Sequence, residues 1–213
     1  MTKQIFWALA LMMTAGTAPA LSAPPSTPPD VIRGTITALN GNSLALTARD
    51  GSKVTVTLLP TVKVTEILPS SLADVKAGSY IGTAAVKEPN GQYRAMELQV
   101  FPEKMRGVGL GTRPWSLTAG SSMTNGTVGS MAQTNGTVGS VAANGDMTLT
   151  VNDGTGLKTV LVPSTVPVVT YAPGSLDELK PGANVILFAQ KDAAGNLTTG
   201  RVQVGKDGLT PPM

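Results

Sequence analysis

Lys104, Arg106 and Arg113 gather close to Trp115 in the stretch FPEKMRGVGLGTRPW, and the chain then carries no charge from Pro114 to Gly145. Cations beside an indole are the makings of a recognition site. Arginine pairs its N–H donors with phosphate or carboxylate, and the indole anchors an apolar surface. The ligand met this way would be an anion of the cell envelope, such as a phosphorylated glycan or a metal complex. The same four residues also suit a structural strap, with Trp115 filling a seam and the cations solvated around it. In a chain only 4% aromatic, the core has first claim on a tryptophan, so the strap is the expected role.

Other chemistry is thinly supplied. The sequence holds no histidine and no cysteine, which removes the commonest general base, the soft metal ligands and the Ser-His and Cys-His pairs. A serine–lysine dyad of the Ser-x-x-Lys kind is missing, since Ser71 to Lys76 and Ser175 to Lys180 are each five apart. Carboxylates remain as acids, bases or ligands of hard cations, which keeps a carboxylate-dependent enzyme as an alternative. No catalytic residue, metal or cofactor is expected. GVGLG at 107–111 lacks the third glycine of a dinucleotide fingerprint, because Thr112 stands in its place. Nucleic acid is not expected as a partner either, for want of several aromatics in a basic groove.

The elements that must position these residues come from long-period self-similarity. GTITALNGNSLALTARDGSKVTVTLLP from residue 34 resembles GTVGSVAANGDMTLTVNDGTGLKTVLVP from residue 136, and PSSLADVKAGSYIG resembles PGSLDELKPGANVI. In this alignment Gly34 matches Gly136, Pro60 matches Pro163, Gly78 matches Gly182 and Val100 matches Val204. Leu44, Leu46 and Ala48, then Val54, Val56 and Leu58, alternate with polar neighbours in the two-residue period of half-buried strands. Asp50-Gly51 and Asp153-Gly154 supply turns. Ser71 and Ser175 precede Asp74 and Glu178 by three residues, the capping signature of a short helix that Gly78 or Gly182 ends. Glu88 and Asp192 flank the last hairpin of each half, while Glu97 is matched by Arg201, so the halves share no strand-central acid.

Three strands, a short helix and two strands per half predict an all-β protein, with two tandem five-stranded barrels of the oligonucleotide/oligosaccharide-binding (OB) type. Closure also leaves no bare sheet edge. The paired SLADVKAG and SLDELKPG segments, the FPEKMRG…GTRPW…SMTNGTV connector and the VQVGKDGLTPPM ending resemble a family of proteobacterial exported proteins known as a domain of unknown function. That resemblance implies tandem small barrels and export, and supplies no activity. The expected organisation is a signal peptide at 1–20, a Pro-rich linker at 21–30, a first barrel at 31–102, a Gly/Ser/Thr-rich connector at 103–133, a second barrel at 134–208 and a tail at 209–213. TNGTVGS is written at 124–130 and again at 134–140. A ten-residue tandem duplication accounts for it, with one copy in the second barrel and the other spare; the 134–140 copy runs directly into that barrel, and the 124–130 copy would serve equally well as the same strand.

The leader MTKQIFWALALMMTAGTAPALSA has a lysine, an apolar run too short to span a bilayer, and small residues before a cleavage site near Ala20. A net charge of +3 is too slight to predict nucleic-acid or acidic-membrane binding. The sequence therefore reads as a noncatalytic periplasmic or secreted binding or scaffolding protein, with an envelope protein or glycan as partner and no transmembrane span in the mature chain.

Overall fold

A computed structural model describes residues 28–138, 141–192 and 194–212. The leader and most of the Pro-rich linker lie outside the described residues. The chain is all-β. Twelve strands run β1 (Asp30–Asn40), β2 (Ser43–Ala48), β3 (Lys53–Pro69), β4 (Tyr80–Lys87), β5 (Tyr93–Val100), β6 (Gly111–Pro114), β7 (Ser121–Val138), β8 (Val141–Asn152), β9 (Leu157–Val162), β10 (Val168–Pro173), β11 (Asn184–Lys191) and β12 (Leu197–Gly205). Every helical element among the described residues is a three-residue 3-10 turn. The two capping segments are of this kind: Ser71 N–H donates to Asp74 Oδ2 at 2.9 Å, and Ser175 N–H to Glu178 Oε2 at 3.3 Å.

The strands close into two five-membered rings, but the rings are not the contiguous halves expected from the sequence. β1, β2 and β3 pair in succession, β3 pairs in parallel with β12, β12 with β11, and β11 returns to β1. The other ring runs β7, β8, β9, then β5 in parallel with β9, β4, and back to β7. Each ring thus takes three strands from one half of the chain and a hairpin from the other. The boundaries 31–102 and 134–208 are corrected accordingly. The connector also ends earlier than residue 133, because Ser121 already belongs to β7. The physical reason for the exchange lies at Pro69-Ser70 and Pro173-Gly174. There the chain leaves β3 or β10 in extended form and carries its capped turn and hairpin across to the other ring, instead of folding back.

Each ring has its own core. Leu44, Leu46, Val56, Leu187 and Val202 fill the first, with Leu179, just past a 3-10 turn, packed among them. Ile81, Leu98, Leu149, Val151 and Val160 fill the second, where Val75 takes the equivalent place. A third cluster of Ile67, Met123, Tyr171 and Ile186 lies at the seam between the rings. Two strands cross that seam together: β10 pairs antiparallel with β3, placing Tyr171 opposite Ile67, and β10 also runs parallel to β5.

Of the two TNGTVGS copies, the first is the one that enters a ring. Gly126 and Thr127 of the first copy stand opposite Ile81 and Tyr80 of β4, as Gly34 and Thr35 stand opposite Val185 and Asn184 of β11. A Cβ on Gly126 would lie 2.4 Å from the Asn152 carbonyl oxygen, and one on Gly34 2.3 Å from that of Thr47, so both positions demand glycine for backbone proximity. The short link from Trp115 explains the choice. Trp115 N–H donates to Ser121 O at 2.9 Å, and β6 lies alongside β7 with Thr112 opposite Thr124, which delivers the first copy to β4. The second copy, as far as Val138, extends the β7–β8 hairpin, with Gly136 opposite Ala143. Deletion of Thr124–Gln133 should bring seven identical residues into the same register and shorten only this hairpin. Its melting midpoint, followed by circular dichroism, is expected within about 3 °C of wild type; a loss of cooperativity would show the outer hairpin to be structural.

Candidate functional site

Strand alternation decides what faces the seam. On β5, Ala95 and Leu98 belong to the ring core, while Glu97 and Gln99 turn the other way; on β12, Val202 and Val204 go inward and Arg201 and Gln203 outward. Between them, under the connector, lies a cavity of about 530 Å³. Phe101, Trp115, Tyr171 and Phe188 form its apolar walls, and Arg113, Arg201, Gln99, Gln203 and Asn125 bring polar groups to it.

Arg113 and Arg201 set its charge. The Arg201 guanidinium carbon lies 3.8 Å from the Phe188 ring centre, and that of Arg113 lies 5.8 Å from the Trp115 ring centre while its Nη1 donates to Gly109 O at 2.9 Å. Neither arginine forms an ion pair among the described residues, and Asp30 at the cavity rim pairs with neither. Both stay open to solvent on one side. Even so, burial lowers the pKa of each, and the Arg113 charge acts in the same direction on Arg201. An anion placed here would relieve that cost.

Behind the cavity runs a buried polar network. The Tyr171 hydroxyl donates to Gln99 Oε1, and Gln99 Nε2 donates to Glu97 Oε1 at 2.7 Å. Glu97 is 0% exposed, and burial pushes its carboxyl up to about 7 against the Gln99 hydrogen bond and the Arg33 charge. Burial also raises Tyr171 well above the usual range, with the Glu97 charge adding to it. Three atoms of cavity-lining side chains, Trp115 Nε1, Asn125 Oδ1 and Gln203 Oε1, are buried with no hydrogen-bond partner.

Of the four site residues read from the sequence, the structure brings two to this cavity. Trp115 is half-buried, packs against the seam cluster and lines the cavity together with Arg113. Arg106 is elsewhere: it pairs with Glu103 at 2.6 Å, donates to Gly78 O at 2.9 Å, and fastens the connector to the turn before β4. Lys104 is exposed and lines no part of the cavity. The GVGLG loop lies against the barrel as the glycines allow. Asn125 Nδ2 and the Tyr80 hydroxyl each donate to Val108 O at 3.0 Å, and a Cβ on Gly109 would sit 2.9 Å from Asn125 Nδ2.

Arg201, Tyr171 and the two glutamines escaped the sequence reading. For Arg201 and Tyr171 the signal was present as a difference between the halves: Glu97 against Arg201 and Ile67 against Tyr171 are matched positions that meet at one seam, whereas Gln99 and Gln203 are matched and identical. The repeated acids have local duties. Asp153 accepts from Thr112 at 2.7 Å and Thr155 at 2.8 Å and pairs with Lys158 at 3.2 Å; although burial raises its pKa, these partners hold it well below the carboxylate range. Glu178 bonds to Glu66, which Lys206 neutralises. Among the described residues no group of three or more acids could hold a metal ion, and no helix is long and apolar enough to cross a membrane. No protein-family model, curated protein or solved structure matches the chain.

Proposed function

We propose that this chain is a noncatalytic, exported binding protein that takes a small anionic ligand in the seam cavity. One observation carries the reading: Arg113 and Arg201, two guanidiniums without a carboxylate partner, line one apolar-walled cavity of about 530 Å³. The arginine fork pairs with carboxylate and phosphate through charge-assisted hydrogen bonds, and a few polar groups in a mostly apolar pocket is the common form of a small-molecule site. Export rests on the leader at 1–20, and the OB assignment on the ring order, in which the third of the three successive strands lies parallel to the second strand of the hairpin from the other half. The noncatalytic reading is favoured by the acids: Asp153, Asp74, Asp192 and Glu88 are all engaged in turns, caps or surface pairs.

The test is a titration with small carboxylates and phosphates at low salt, followed by Trp115 emission. Saturable binding is expected to weaken roughly 10- to 100-fold in Arg201→Gln and in Arg113→Gln, while Arg106→Ala, remote from the cavity, binds like wild type. Binding should also fade as salt rises. Affinity indifferent to both cavity arginines would refute the site.

A further inference from the structure

Resting on the anion reading above, the geometry points to a hydroxylated carboxylate, a sugar acid of the hexuronic kind, as the ligand class of the seam cavity. Its unpaired atoms are of both senses. Trp115 Nε1 is a donor, and Asn125 Oδ1 and Gln203 Oε1 are acceptors, all three on side chains that line the same space. Buried polar groups in folded proteins are nearly all paired, and each unpaired one carries an uncompensated desolvation cost. Turning the amides over does not cure the deficit. Asn125 Nδ2 is committed to Val108 O at 3.0 Å, and Gln203 is already bonded through its side chain to Tyr171.

Solvent does not reach these three atoms in the free protein. A ligand meets the two amide oxygens only if their last side-chain torsions, which are broad and shallow, turn far enough to exchange the bonds to Val108 O and Tyr171 for bonds to the ligand. What it must then offer is specific. Benzoate satisfies the arginines but has no donor for Asn125 or Gln203. Inorganic phosphate has at most one or two protons to give near neutrality, and no apolar surface for Phe101 and Trp115. A neutral sugar has hydroxyls that both donate and accept, but leaves Arg113 and Arg201 without a counter-charge. A pyranose bearing a carboxylate supplies the charge, the two-way hydroxyls and C–H faces for the ring walls. The cavity, about 530 Å³, lies within the range of roughly 300–1,000 Å³ usual for small-molecule sites.

Four probes separate these ligands: galacturonate, galactose, benzoate and inorganic phosphate, each titrated into the full chain by calorimetry and by Trp115 emission. Galacturonate is expected to bind at least about tenfold more tightly than each of the others, because a site built to hydrogen-bond a hydroxyl discriminates against its absence. Gln203→Met and Asn125→Ala should each weaken galacturonate about tenfold more than they weaken benzoate. Thermal melts establish which variant is folded, and either suffices. Unchanged galacturonate affinity in a folded variant would overturn the assignment. So would benzoate or phosphate binding as tightly as galacturonate, although a loss in Arg201→Gln would then leave the anion site standing. If none of the four binds, the sugar-acid assignment and the anion site fall together.

Discussion

Fragments made by cutting the chain between Pro102 and Glu103 are expected to fold together and neither to fold as a monomer alone. Residues 28–102 carry three strands of one ring and the hairpin of the other. Without the second half, β3 loses the parallel partner that runs from Thr198 opposite Thr57 to Gly205 opposite Ile67, and β1 loses β11. The β4–β5 hairpin loses β7 and β9 in the same cut. Bare edges and a half-lined core such as Leu44, Leu46 and Val56 would then face water. Co-expressed fragments should elute as a 1:1 complex and melt cooperatively near the intact chain. Separated, each should lack a cooperative monomer transition and either aggregate or pair with its own copy, as exchanged hairpins do. Two well-folded monomeric fragments with no affinity for one another would restore contiguous barrels and refute the exchange.

The reason that exchange was not legible in the sequence follows from the same pairings. Strand period, turn glycines and the Ser-to-acid caps are local signals, and they marked β2, the start of β3 and both capped segments, but not β6, β10 or the start of β7. Ring membership is not local. β4 and β11 are alike in pattern, so either hairpin satisfies the alternation that β1 or β7 demands, and only the path at Pro69 and Pro173 chooses between them. The choice between the two TNGTVGS copies is open in the sequence for a related cause: seven identical residues have identical propensity, and the tether from Trp115 to Ser121 decides which copy meets β4. Charge and aromatic character found Arg113 and Trp115. The mismatch of Glu97 with Arg201 was read as an argument against a shared acidic site. At a seam where matched positions converge, it instead marks where the two sides differ and where the cavity lies.

Glu97→Gln is expected to stabilise the protein at pH 8 and to leave it almost unchanged near pH 4.5. Glu97 sits at the seam with Arg33 of β1 and Tyr171 of β10 as its charged and titratable neighbours, and burial raises its carboxyl from 4.5 to about 7. The folded protein therefore keeps a proton that the unfolded chain releases between those values. For this group stability is complete below about pH 4.5, falls as pH rises through the window, and is lost in full above about 7. The difference amounts to roughly 3 kcal/mol at pH 8, or about 6–12 °C in Tm for a chain of this size. Glutamine has the shape and hydrogen-bonding capacity of the neutral acid without its titration, so the variant should escape the loss. Asp153 acts with the opposite sign, since its depressed pKa gives stability that disappears as pH falls below about 4. Between the two, wild-type stability should be greatest near pH 5, and Glu97→Gln should flatten only the alkaline side. Denaturant unfolding at pH 4.5, 6 and 8 measures this directly. A variant equally destabilised at pH 6 and pH 8 would mean that Glu97 is ionised across that range and held by Arg33, and the seam would then contain a buried ion pair in place of a neutral acid.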